Sequence, residues 1–302
     1  MPIPDFQSFM LPLLKLTADR QEHSRKDIAP VLAAQFALTA EEQAQRLPSG
    51  RQEVFLNRIH WARTHLVKAG LLEATRHGWF RITALGLDVL KTPPPKITVS
   101  FLSQYPDYAE FRSTTVTPGT KQGDEPTVEF TPEETIETAY QQRREALAAE
   151  LLTLVKQATP AFFERLVVEL LVAMGYGGSR ADAGQALGKS GDEGVDGIIK
   201  EDRLGLDVIY LQAKRWTDKA VGRPDLQQFA GALHGQRARK GVYLTTSSFS
   251  KDARDFVSRI DSQIILIDGK ELAYLMIDHN VGVALERTYE IKRVDTDFFT
   301  EE

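Results

Sequence analysis

The sequence predicts an α/β chain of two domains: a winged helix first, then a mixed sheet flanked by helices. Three observations predict it. Between Phe6 and Ile82, three runs with helical apolar spacing are followed directly by two short strand-like runs around a turn. A stretch rich in Pro, Thr and Gly then breaks the periodicity over about 93–131. Beyond it, strand-like and helix-like runs alternate, which implies parallel pairing through right-handed crossovers. A length of 302 residues suits two domains better than one.

Composition narrows the chemistry. The chain has no cysteine, which excludes disulfides, thiolate-bound zinc and thiol catalysis, and fits a reducing cytoplasm. The opening MPIPDFQSF lacks the basic-then-apolar pattern of a signal peptide, and no apolar run reaches membrane-spanning length. The net charge is −5, but its distribution is uneven. Residues 1–92 hold 12 Lys and Arg against 9 Asp and Glu, so the basic excess lies in the first domain.

In the first domain (1–92), helices are predicted over Phe6–Leu16, Lys26–Phe36 and Arg51–Ala69, the last closed by Gly70. Leu71–Thr75 and Trp79–Thr83 read as a hairpin, and Thr83 caps a short helix to Leu90. In a winged helix, one helix enters the major groove of DNA and the hairpin touches the backbone. The long third helix carries Arg51, Asn57, Arg58, His60, Trp61, Arg63, His65 and Lys68 off its apolar face, and the hairpin tip adds Arg76 and His77. Six Lys and Arg against two Asp and Glu over Arg51–Arg81 form the footprint expected for double-stranded DNA. The same face would serve equally as the solvated surface of a protein-interaction module. The histidines lack ligand spacing for zinc.

The connector, 93–131, reads as irregular and acidic, with Ile97–Leu102 and Thr127–Phe130 as its strand-like stretches. The second domain (132–302) starts with Thr131 and Pro132 opening a charged helix to Gln157. Thr159–Pro160 restarts a helix to Met174. Strands at Val195–Lys200 and Asp207–Ala213 form a hairpin whose turn contains Gly205. A helix (Pro224–Gln236), a buried strand (Lys240–Thr246), a helix (Ser250–Ile260), a strand (Gln263–Ile267) and a helix (Lys270–Ile277) follow.

The hairpin carries the chemistry. Residues two apart on a strand share a face, so Gln212 and Lys214 point one way and Ala213 the other. In the natural register Asp196 lies beside them. One carboxylate, one amide and one ammonium on a patch of sheet suit metal-assisted phosphodiester hydrolysis. Mg²⁺ (or Mn²⁺) prefers a few hard oxygen ligands. Asp196, Gln212 and the backbone carbonyl of Ala213 are candidate ligands, and Lys214 holds the attacking water. A salt-bridged hairpin edge is the competing reading. Gln227, Gln228, Thr245, Thr246 and Ser247 fall where loops and helix starts meet a DNA backbone or cap helices. Arg215 and Trp216 either touch phosphate or pack.

GDEGVDG followed by YLQAKRW resembles the catalytic core of the Mrr family of type IV restriction endonucleases. That family lies in the PD-(D/E)xK superfamily, in a variant that reads D…QxK. FFERLVVELLVAMGYGG, VGRPDLQQFAGALHGQ, KGVYLTTSSFSKDARDF and IILIDGKELAYLMI resemble Mrr segments in the same order. The resemblance implies a restriction-endonuclease-like αβββαβ domain and restriction of foreign DNA bearing methylated adenine or cytosine. It also gives Glu164, in FFERL, the part of a carboxylate touching the metal or its water, with Glu169 as second choice. Glu193 stands where the family carries glycine. One site cuts one strand, so double-strand cleavage implies a homodimer or two successive nicks. A repair or junction-resolving nuclease on the same core, a DNA-binding regulator that has lost activity, and an interaction scaffold are the alternatives.

Overall fold

The computed structural model describes residues 2–76, 78–115, 130–177, 195–201 and 207–292. The chain divides into two compact units between Gln142 and Arg143.

The first unit grows from α1 (Phe6–Leu16), capped by Asp5, which accepts from the N–H groups of Gln7 and Ser8. Its Phe6, Phe9, Met10, Leu13 and Leu14 recur at helical spacing and are buried. Ser24 and Asp27 form a capping box on α2 (Arg25–Gln35), and Thr39 and Glu42 form another on the short α3 (Ala40–Ala44). The central helix, α4 (Val54–Lys68), buries Val54, Phe55, Ile59, Ala62 and Leu66 against α1.

A three-stranded sheet completes the winged helix. β1 (His23–Ser24) pairs with β3 (Trp79–Ile82), which pairs with β2 (Leu72–Arg76). A β-bulge at Thr75 shifts the β2–β3 register between Ala74 and Arg76. α5 (Ala84–Lys91) follows Thr83, as expected. Two features depart from the sequence reading. The third long helix begins at Val54, not Arg51, because a bridge between Arg46 and Glu53 ties down the preceding turn. The start of the supposed connector is folded: α6 (Val99–Leu102) and α7 (Pro106–Thr115) place Ile97, Leu102 and Tyr108 in the first core. These apolar residues obtain burial there that an irregular tether could not offer. Residues 97–102 are therefore not a strand, and 127–129 lie outside the described residues.

α8 (Pro132–Gln157) has residues in both units. In the second unit, α9 (Pro160–Ala173) has Thr159 as N-cap and proline at its first position. Its sheet has the order β4-β5-β6-β7. β4 (Gly197–Lys200) and β5 (Val208–Lys214) are antiparallel; β6 (Lys240–Thr245) and β7 (Gln263–Ile267) continue the sheet in parallel. The hairpin turn and Glu193 lie outside the described residues. α10 (Arg223–Gly235), α11 (Lys251–Val257) and α12 (Gly269–Asp278) supply the crossovers and the last cover.

The sheet separates two apolar clusters. Ile209, Leu211, Leu244 and Ile267 pack with Leu151 and Val155 of α8, α9 and α12. Tyr210, Tyr243 and Ile264 pack with Leu226, Phe229 and Leu233 of α10. Gly241 makes the second contact possible, since a Cβ there would lie 2.8 Å from the Phe229 ring. This is the expected mixed sheet with helices on both faces. No helix among the described residues is long and apolar enough to cross a membrane.

Candidate active site

The β4–β5 register puts Gly197 opposite Leu211 and Ile198 opposite Tyr210. Asp196 therefore stands one step before the ladder, level with Gln212, and its N–H donates to the Leu211 carbonyl at 2.8 Å. The side chain turns onto β5. Its Oδ2 accepts from the Gln212 side-chain amide and from the backbone N–H of Ala213 at 2.7 Å. Among the described residues, Oδ1 has no hydrogen-bond partner. The aspartate is thus fixed by one oxygen and offers the other.

Gln212 is only 2% exposed. Its amide N–H is directed at Asp196 and holds the carboxylate in place, while its amide oxygen is the atom that the sequence reading offers to a metal. Lys214 lies two residues further on, on the same face of β5, half-buried and without an ion-pair partner among the described residues. The strand end that carries it is held from β6. Thr245 Oγ1 donates to the Lys214 carbonyl at 2.9 Å, and Thr246 Oγ1 donates to the Trp216 carbonyl at 2.7 Å. Both threonines are buried, so neither meets DNA, contrary to the expectation that placed them at the backbone. Tyr243 pairs with Gln212 across β5 and β6. Burial first, then the charges of Asp225 and Asp196, push its hydroxyl pKa upward. The sequence does not single out Tyr243, and it offers Thr245 and Thr246 as backbone contacts or helix caps rather than as supports of β5, because their partners lie on a neighbouring strand.

Glu164 makes no hydrogen bond to Asp196, Gln212 or Lys214 among the described residues. It lies half-buried on α9, which packs against the Ile209/Leu211 face of the sheet, while Gln212 and Lys214 belong to the other face. Glu169, on the same helix, is exposed. No group of three His, Asp or Glu residues comes together as a metal cage among the described residues. An Asp196 oxygen without a partner among the described residues is a fit for a hard cation that keeps most of its waters.

The candidate DNA contacts divide sharply. Asn57 is fully buried and accepts from the Thr131 hydroxyl. Arg58 is bound to Glu134, with Nη2 to Oε1 at 2.7 Å and Nε to Oε1 at 3.0 Å. Its Nη1 donates to the carbonyls of Ile3 and Pro4. Both residues build the first unit and are unavailable to DNA. They look exposed in sequence because they are polar, but the chain from Thr131 to Glu134 covers them. Arg215 is likewise structural: its Nη1 caps the end of α8 at the Lys156 carbonyl, 2.6 Å away. Arg51 is exposed in the turn before α4, and Lys68 lies over the Phe111 ring. Arg76 is exposed and stacks 4.1 Å from the Trp79 ring centre, with Glu22 at 3.3 Å. Arg63 sits over Phe80 with a buried Nε, and Gln227 is exposed on α10.

An antiparallel hairpin extended by two parallel strands, with an aspartate pinned at its base, defines a nuclease core of the restriction-endonuclease class. Comparison with known proteins agrees. Residues 155–276 match the restriction endonuclease domain of Mrr proteins, and residues 6–92 match the Mrr N-terminal domain. The chain is 35% identical over 312 aligned positions to the type IV methyl-directed restriction enzyme EcoKMrr of Escherichia coli K12, covering 99% of this chain and 100% of that one. The chain belongs to the Mrr family of restriction endonucleases. Among solved structures, the MspJI restriction endonuclease in complex with a 27-mer oligonucleotide matches 55% of this chain and 36% of its own, with 24% identity and a TM-score of 0.28.

Proposed function

We propose that this chain is a metal-dependent endonuclease that cuts double-stranded DNA carrying methylated bases, with its catalytic centre at Asp196 and Lys214. The observation that carries the reading is the Asp196 carboxylate, anchored through one oxygen to Gln212 and Ala213, with no partner for the other oxygen among the described residues. Asp196 and the Ala213 carbonyl are the proposed ligands of Mg²⁺ or Mn²⁺, and Gln212 positions the aspartate. Bound there, the ion lowers the pKa of a coordinated water and stabilises charge at the phosphate. Lys214 orients the attacking water and offsets the charge that grows on the non-bridging oxygens. The water oxygen bonds to phosphorus, one P–O ester bond breaks, and the departing oxygen takes up a proton. Glu164 helps to hold the metal or its water, the part that the family resemblance gives it.

The methylated substrate rests on the full-length relation to a methyl-directed enzyme. One Asp196 site cuts one strand, so cleavage of a duplex takes a homodimer or two successive nicks, and the cytoplasm is the proposed location. The test mixes wild type and Asp196→Ala with Mg²⁺ and matched plasmids from methylating and non-methylating hosts. Cutting of methylated plasmid alone, lost in the variant, is expected. Equal cutting of both plasmids would remove the methyl-directed part; cutting by Asp196→Ala would remove the site.

A further inference from the structure

The winged-helix unit contains a cavity of about 870 Å³ between the start of α2, the middle of α4 and the β2–β3 hairpin. Its rim carries Arg25, Lys26, Arg63 and Arg76, and no carboxylate lines it. Among the described residues neither Arg25 nor Lys26 has an ion-pair partner. The cations act on each other: burial first, then the Arg25 charge, lower the pKa of Arg63. Burial first, then Arg63, lower that of His60. Arg76 is paired with Glu22 at 3.3 Å, but Arg25, Lys26 and Arg63 have no ion-pair partner among the described residues, and like charges left so make a site for an anion.

The interior offers more than an anion needs. Two residues that line the cavity also carry buried polar atoms, Arg63 Nε and Thr75 Oγ1, that have no hydrogen-bond partner among the described residues. Buried donors of this kind are rare and usually answer to a ligand or water. Thr75 is the extra residue of the bulge in β2, where the register slips between Ala74 and Arg76. Bulges commonly re-aim a side chain at a functional position. The remaining wall is apolar and aromatic, with Ile59, Trp79 and Phe80. Cationic rim, unpartnered hydrogen-bonding atoms and aromatic wall together match a nucleotide: phosphate, base edge and base face.

We propose that this cavity takes one nucleotide of the bound DNA out of the base stack, holding its phosphate on Arg25, Lys26 and Arg63 and its base between Thr75 and Trp79. The inference rests on the DNA-nuclease reading above and gives the first unit the task of inspecting a single base. A stacked, paired base cannot enter a concave site, so the base must be extruded, and extrusion is easiest where pairing is already weak.

The test measures fluorescence anisotropy of the full chain in metal-free buffer, so that cleavage plays no part, on matched duplexes that are fully paired or carry one mismatch. Wild type is expected to bind the mismatched duplex about tenfold more tightly, because part of the extrusion cost is already met. Thr75→Val and Trp79→Leu are expected to lose that preference. The Arg25→Gln, Lys26→Gln double variant changes two exposed residues that carry no internal contact. It is expected to weaken both duplexes alike and to lower the salt slope by roughly 0.9 per lost phosphate contact. Equal affinity of wild type for both duplexes overturns the pocket and leaves the nuclease reading intact. Retention of the preference by both Thr75→Val and Trp79→Leu does the same. Failure of wild type to bind either duplex overturns the pocket, and cutting of methylated plasmid with Mg²⁺, measured beside it, decides the nuclease reading separately.

Discussion

Replacing Arg58 by alanine should destabilise the first unit while leaving the DNA-binding surface in place. The Arg58 side chain is 12% exposed and that of Glu134 is 8% exposed. The guanidinium makes two bonds to one Glu134 oxygen and donates to two backbone carbonyls near the N-terminus. Arg58→Ala removes all of them and leaves a buried carboxylate without its cation. Removing one partner of a buried pair costs about 3–5 kcal/mol. Glu134 keeps one compensating bond, since its Oε2 accepts from the Thr131 N–H at 2.9 Å, which places the loss near the lower end. About 3 kcal/mol corresponds to a fall in Tm of roughly 6–12 °C for a unit of this size. The assay is urea unfolding followed by tryptophan fluorescence, since Trp61 and Trp79 report on this unit. A double-mutant cycle with Glu134→Gln isolates the pair. The double variant should be less destabilised than the sum of the singles, because it strands no charge. A loss under 1 kcal/mol, together with a reduced salt slope for DNA binding, would refute the reasoning and return Arg58 to the DNA contacts.

Other outcomes follow from the same geometry. Lys214→Ala should abolish cleavage and leave the affinity for DNA, measured by gel shift, nearly unchanged; wild-type cleavage rates would remove Lys214 from the chemistry. Arg215→Met should lower stability by about 1–2 kcal/mol, the worth of a charge-assisted bond at a helix end, with an unaltered salt slope; a slope reduced by about one would make Arg215 a phosphate contact after all. His65 stacks on Phe6 and its Nδ1 lies 2.6 Å from the Tyr108 hydroxyl; burial first, then the Arg112 charge, lowers its pKa from 6.5 to about 4. The unfolded chain therefore takes up the proton first as pH falls. The stability held by the neutral ring is complete above about pH 6.5, declines as pH drops, and is gone near pH 4, at most about 3 kcal/mol. His65→Gln should flatten that slope in urea midpoints measured from pH 7 to 4; an unchanged slope would assign it to other groups.

What could be read from the sequence, and what could not, divides along the range of the interactions. The hairpin was legible because strand parity is strict: once Asp207–Lys214 is a strand, Gln212 and Lys214 must share a face, and antiparallel pairing brings Asp196 alongside. The core faces of α1 and α4 were legible for the same reason, with a period of 3.6 in place of 2. Parity does not say which face of the sheet a helix will cover. FFERL announces a helix with a glutamate, but only packing decides that this helix covers the Ile209 and Leu211 face of the sheet. Nor does polarity announce exposure. Asn57 and Arg58 sit in a basic helix, and the residues that bury them, Thr131 and Glu134, come 74 and 76 positions later. The two-residue β1 is too short to have a period at all, and it is created by its pairing with β3. The consequence reaches function. With Asn57 and Arg58 committed to internal bonds, the exposed cations left on the first unit include Arg25 and Lys26, which rim one cavity with Arg76, itself paired with Glu22. A basic count of +3 could not place them, because charge is additive along a sequence while a binding surface depends on which charges remain unpaired after folding. Neutralising Arg25 and Lys26 should therefore weaken DNA binding more than neutralising Arg58 does, although Arg58 lies on the helix that the sequence marks as the reader. Equal effects of the two changes, with folding intact, would show that the unpaired charges are not what the duplex meets.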